Sequence, residues 1–176
     1  PLSRVFSRAA TKKLCANLAK AWKAGSDLEA RQNLFEGAFL AGVCLTSSST
    51  VAVHALSYPL GGKYHIPHGV SNAILREAVM RVNLPYCREA FTEFAPLMLP
   101  NCENIPKETW PEAVVDYMGS LCRRLQIPDS LRTFGLEPDA LDELTDNAMV
   151  AKRLLLKKPR KLTRQEIRGI YEGLLR

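Results

Sequence analysis

Apolar side chains fall at every fourth position from Phe6 through Ala10, Leu14 and Leu18 to Trp22. That period lines one face of an α-helix. It conflicts with a strand, whose faces alternate every second residue. The same period returns along the chain: Val70, Ala73, Ile74, Ala78 and Val82; Val114, Tyr117, Met118, Leu121 and Leu125; Leu141, Leu144 and Ala148; Ile167, Ile170, Tyr171 and Leu174. No stretch shows convincing strand alternation. The expected fold class is all-α, a helical bundle of about eight helices with no internal repeat.

The breaks between these stripes have their own chemistry. Gly25 stops the first helix. Ser26-Asp27-Leu28-Glu29, Thr109-Trp110-Pro111-Glu112 and Thr163-Arg164-Gln165-Glu166 each have the spacing of a capping box, in which a hydroxyl and a carboxylate satisfy free backbone N–H groups at a helix start. Gly37, Ala38, Ala41 and Gly42 make the second helix thin enough for close approach by another. Ser47-Ser48-Ser49-Thr50 interrupts that helix and offers N-cap hydroxyls for a short helix through His54 to about Leu56. Pro59 and Gly61-Gly62 then break the chain, and Pro67 begins the next helix. Leu131 belongs to a short turn ending at Gly135.

The chain has 176 residues, of which 47% are hydrophobic, which suits one folded domain over residues 1–176 rather than disorder. No apolar run reaches the roughly 18 residues of a membrane span, and no membrane partner is expected. The five cysteines, Cys15, Cys44, Cys87, Cys102 and Cys122, are scattered and lack a CxxC pair. They read as reduced thiols, and the expected location is cytoplasmic. The net charge of +6 is spread along the chain and is not interleaved with aromatics, so solvated helix faces are expected and no nucleic-acid partner. The run Lys157-Lys158-Pro159-Arg160-Lys161 is the place where an anionic partner, or a charged face of another domain, could dock. Pro1 opens directly onto a helical pattern, which predicts a chain cut from something longer.

All three histidines, His54, His65 and His68, lie within fifteen residues. Pro67 disfavours the α conformation at Ile66, which places His65 in a loop and His68 in the first turn of a helix. His54 sits on the preceding helix, so His54 and His68 can converge from two helices on a divalent metal. Two imidazoles do not complete a site. No acid occurs between residues 44 and 76, and the nearest are Glu36 and Glu77. His65 reads as a surface or structural residue, Tyr58 and Tyr64 as core or interface aromatics.

The stretch His54-Ala-Leu-x-x-Pro-Leu-Gly-Gly-x-Tyr-x-Ile-Pro-His68-Gly69-Val70-x-Asn72-Ala73 resembles the second signature of the iron-containing alcohol dehydrogenases, relatives of glycerol dehydrogenase and dehydroquinate synthase. Ala38-x-x-Ala41-Gly42, Pro128-x-x-Leu131-Arg132-x-x-Gly135, Arg153-Leu154-Leu155 and Pro159-Arg160-x-Leu162-Thr163 resemble other parts of the family more loosely. The resemblance implies a two-domain enzyme of which this chain is the C-terminal helical domain. An N-terminal α/β domain would bind NAD(P) and pair with it. No GGGS-like phosphate loop and no Asp-x-x-x-His element, which carries the family's other two ligands, occurs here.

Carried over by position, the resemblance makes His54 and His68 ligands of Fe(II), with zinc as the alternative. Tyr58 stands where the family often has a second histidine near the nicotinamide, which makes it the candidate catalytic residue of this chain. Lys157-Lys158 replaces the family's Asn-Asn before Pro159-Arg160. The implied activity is hydride transfer between NAD(P) and an alcohol, aldehyde or ketone, in an enzyme that forms homo-oligomers. The chain alone is expected to be inactive. A maleylacetate reductase is a related reading, against which Gly69 argues because that branch usually has Pro-His-Ala. A non-catalytic helical metal-binding or assembly module is the reading outside enzymes.

Overall fold

A computed structural model describes residues 2–48, 50–156 and 159–176. Among the described residues there are nine α-helices, several single 3-10 turns and no strand. The expected all-α class holds, and the helix beyond the expected eight is the four-residue α8. The helices are α1 (Leu2–Lys23), α2 (Leu28–Ser48), α3 (Ala52–Tyr64), α4 (His68–Asn83), α5 (Arg88–Met98), α6 (Trp110–Arg124), α7 (Leu141–Val150), α8 (Lys152–Leu155) and α9 (Arg164–Gly173). No single helix among them is long and apolar enough to cross a membrane. Two compact units divide the chain: residues 1–49 with 89–117, and residues 50–88 with 118–176.

In the first unit α1 and α2 pack along each other as a helical hairpin. Ala10 of the predicted α1 stripe is buried, while Trp22 at its end remains half exposed. Gly37 is buried, and a Cβ there would sit 3.0 Å from Leu14 Cγ, so this glycine does permit close approach. Ala38 and Gly42 do not: both are exposed, and a Cβ on Gly42 would meet nothing. The small residues lie on two different faces of the helix. The start of α2 also differs from the expected Ser26 box, because Asp27 Oδ1 accepts from Ala30 N at 2.9 Å. The carboxylate one residue later takes the capping role. Arg4 and Arg8 both pair with Glu93, which ties α1 to α5.

The second unit holds a continuous apolar core from α3, α4, α7, α8 and α9. Tyr171 is fully buried at its centre and donates to Leu56 O at 2.6 Å, joining α9 to α3. Arg132 Nε and Ser130 Oγ donate to carbonyls at the C-terminal end of α9, at 2.5 Å to Leu175 O and 3.2 Å to Leu174 O. The turn that they flank ends at Gly135 with φ 76°, a left-handed conformation that suits glycine. The Pro128 to Gly135 stretch is therefore the clamp on the last helix.

Helix α3 corrects the sequence reading most. It runs unbroken through Pro59 and Gly61-Gly62 instead of ending near Leu56. A proline inside a helix costs about 3 kcal/mol and each glycine about 1 kcal/mol relative to alanine. Against that, Ala52, Val53, Ala55, Leu56, Pro59 and Leu60 are all buried, and a buried large aliphatic side chain contributes about 1.5–3 kcal/mol. Core packing outweighs the local preference. The stop comes at His65, in the left-handed region with φ 54°, where its N–H and that of Ile66 turn back to Leu60 O. The helix start follows Val51 in extended conformation, so the N-cap position holds a valine rather than a hydroxyl residue. Ser49 of the expected capping run lies outside the described residues, as do Pro1, Lys157 and Lys158.

Candidate metal centre

Two helix positions create the site. His54 lies in the first turn of α3, and His68 is the first residue of α4, directly after Pro67 with φ −53° and ψ 136°. The left-handed turn at His65 folds α4 back on α3, so residues fourteen apart in sequence meet. The ring centroids of His54 and His68 are 5.3 Å apart and the planes are inclined at 55°. Two imidazoles on one ion, at about 2.0–2.1 Å and a roughly tetrahedral angle, would place their centroids about 5.2 Å apart. The pair therefore has the spacing that a shared divalent ion requires.

His54 is half-buried and His68 is open to solvent. Burial pushes the His54 imidazole below its ordinary value, and the neighbouring His68 and Arg76 push it the same way. A neutral imidazole is the form that offers a lone pair to a metal. Behind the rings the backbone is tied down in parallel fashion. Buried Ser57 donates to His54 O and buried Ser71 to His68 O, each at 3.0 Å.

Asn72 stands one turn after His68. Its Nδ2 donates to His68 O at 2.7 Å and lies 3.2 Å from Nδ1 and 3.1 Å from Nε2 of the His68 ring. Its Oδ1 is buried and has no hydrogen-bond partner. The sequence reading quoted Asn72 only as part of a motif. The i,i+4 spacing from His68 on a helix was the signal that could have singled it out.

Tyr58 follows His54 by one turn of α3, and its side chain is 51% exposed. That spacing sets it on the His54 side of the helix. His65 serves as the helix stop and is exposed, as expected for a loop residue. Among the described residues, no group of three or more His, Cys, Asp and Glu side chains is placed to share an ion. Glu77 is not the missing acid, because it pairs with Arg81 at 2.6 Å and faces Arg123 at 3.6 Å. A cavity of about 720 Å³ opens between α4, the end of α6 and α9, over Ala73, Cys122, Ile127, Gly169 and Leu174. It does not include either histidine.

The all-helical architecture and the paired histidines are shared with a family of known proteins. The family model described as Fe-containing alcohol dehydrogenase family, C-terminal, matches residues 1–175. The chain belongs to this family. Long-chain-alcohol dehydrogenase 1 of Geobacillus thermodenitrificans is 34% identical over 173 residues, covering 98% of this chain and 44% of that protein. The 1,3-propanediol dehydrogenase of Klebsiella pneumoniae is 31% identical over 171 residues, covering 97% of this chain and 44% of its own length. The crystal structure of a 1,3-propanediol oxidoreductase superimposes with a TM-score of 0.92 at 30% identity, over 99% of this chain and 46% of that one. The chain thus spans less than half the length of the relatives it matches.

Proposed function

We propose that this chain is the metal-holding helical domain, over residues 1–176, of an NAD(P)-dependent alcohol dehydrogenase acting on alcohols, aldehydes or ketones. The observation that carries the reading is the pair His54 and His68, whose ring centroids are 5.3 Å apart on two helix starts. These two side chains would hold the ion, Fe(II) by the family's name, with zinc compatible with the same donors. When bound, such an ion supplies Lewis acidity that eases loss of the alcohol proton.

The chain's own share is positioning. Burial favours the neutral form of the His54 ring, and Ser57 and Ser71 bond the backbone carbonyls of the two histidines. Tyr58 lines the His54 side of α3 and offers a hydroxyl to the reacting alcohol. The remaining ligands and the nucleotide would come from an α/β domain outside these residues. The outward face of α2 supports such a partner, because Leu28, Phe35 and Phe39 share one side of the helix and are all more than half exposed. The same face would also suit a second copy in a homo-oligomer. The names of the relatives span long-chain alcohols and a diol, which supports the alcohol class and leaves the chain length of the substrate open.

The test is His68→Ala in the full-length protein. The expected result is loss of metal loading and of alcohol-dependent NAD(P)H formation, with the helical circular-dichroism signal unchanged. Normal turnover with normal metal content would overturn the reading. Activity on maleylacetate but not on simple alcohols would move the protein to the maleylacetate reductase branch.

A further inference from the structure

We propose that the cavity between α4, the end of α6 and α9 is a binding site for an aliphatic monocarboxylate. The site is separate from the histidine pair and stands whether or not His54 and His68 hold an ion.

Two helix stripes build the cavity. On α4, Ile74, Ala78 and Val82 recur every fourth residue, and on α9 Ile170 and Leu174 do the same. Ile74 and Ile170 are only 5% and 4% exposed, so the floor is part of the packed core. Gly169 and Gly173 line the α9 side, and a Cβ on either would meet nothing within 4 Å. The volume of about 720 Å³ falls in the range of small-molecule pockets, about 300–1,000 Å³. Among the described residues that line it, none carries an aromatic ring, a side-chain amide or a hydroxyl. Such walls suit a saturated chain, which has no ring to stack and no polar group to satisfy along its length.

Charge sets the polar end of the ligand. Arg81, Arg123 and Arg176 line the cavity together with Glu77, Asp129 and Glu166. Arg160 already neutralises Glu166, which it binds at 2.9 and 2.5 Å, so three cations face two anions. Glu77 is held by Arg81 at 2.6 Å. Its carboxylate lies where a Cβ on residue 119 would be, so Gly119 lets it rest against α6. Arg123 stands 3.6 Å from Glu77 Oε2, beyond hydrogen-bond range, and its side chain is 59% exposed. Its guanidinium can therefore take a second carboxylate, in the forked geometry that arginine favours.

The experiment is isothermal titration calorimetry of the full-length protein with decanoate. One saturable site per chain is expected. Octanoate, which buries two fewer methylenes, is expected to bind about fifteenfold more weakly. Arg123→Gln is expected to weaken decanoate about two- to fivefold, the range of an exposed ion pair, and to leave decanol unchanged. Gly169→Leu puts a side chain into the open space and favours the helix, so the thermal transition is retained. It is expected to weaken decanoate by about tenfold or more. If that variant loses its transition, Gly173→Leu replaces it with the same expectation. No saturable binding, as when another part of the full-length chain fills the cavity, would overturn the proposal. So would equal affinity for the two acids, or decanoate affinity unchanged by the filled cavity. An equal loss of decanoate and decanol in Arg123→Gln would also overturn it, because the carboxylate would then go unrecognised.

Discussion

At the residue scale, the best-satisfied carboxylate of the second unit is Glu166. It closes a capping box with Thr163, accepting from Thr163 N at 2.9 Å while Thr163 Oγ1 accepts from Glu166 N at 3.2 Å. Arg160 grips the same carboxylate with two nitrogens, at 2.9 and 2.5 Å, and lays its guanidinium 4.4 Å from the Tyr86 ring centre. These donors hold Glu166 at about 2 instead of the ordinary 4.5. A depressed carboxylate contributes stability above its ordinary pKa and loses it as pH falls through the folded value. Glu166→Gln is therefore expected to lower stability at pH 7 by about 1–2 kcal/mol, discounted for partial exposure, and to flatten the decline between roughly pH 4.5 and 2. Urea denaturation across that range reads both effects. The Thr163-x-x-Glu166 box was legible because its partners are three residues apart. The Arg160 grip was not, because half of it depends on Tyr86, brought near only by the fold.

At the element scale, local spacing succeeded where a helix shows a clear apolar stripe and failed in α3, where buried residues spread over most of its turns. The α1 stripe could be read from its period because solvent removes apolar residues from the other side. Helix α3 carried a proline and two glycines yet continued, because most of its length is core. Sequence period sees amphipathicity, and α3 has little to show. The small residues of α2 teach the same point, since a glycine in a sequence does not say which face it occupies. Gly37→Val is expected to destabilise the helical hairpin by about 1–3 kcal/mol through overpacking against Leu14. Gly42→Ala meets nothing and is expected to stabilise by about 0.5–1 kcal/mol through helix propensity. Thermal melts of the two variants side by side check the contrast, and equal effects would show that the faces are wrongly assigned.

At the scale of the whole molecule, the convergence of His54 and His68 was legible, because a proline and a motif of fixed length bracket the turn between them. The supporting parts were less so. Ser57, Ser71 and Asn72 each bond the backbone carbonyl of a histidine one turn earlier on the same helix, and nothing in their residue types singles them out. The chain spans 44% of the length of the long-chain-alcohol dehydrogenase it matches, and no third ligating side chain joins the pair among the described residues. The 176-residue chain by itself is therefore expected to form no NAD(P)H from any alcohol. A spectrophotometric assay of the isolated chain, with and without Fe(II), checks this, and measurable turnover would contradict it.

The central claim is that His54 and His68 bind one ion. X-ray absorption fine structure at the metal edge of the full-length protein counts imidazole ligands directly. Two or more imidazoles are expected in the wild type, with one fewer, or no bound metal, in both His54→Ala and His68→Ala. An imidazole count unchanged by either substitution would contradict the account.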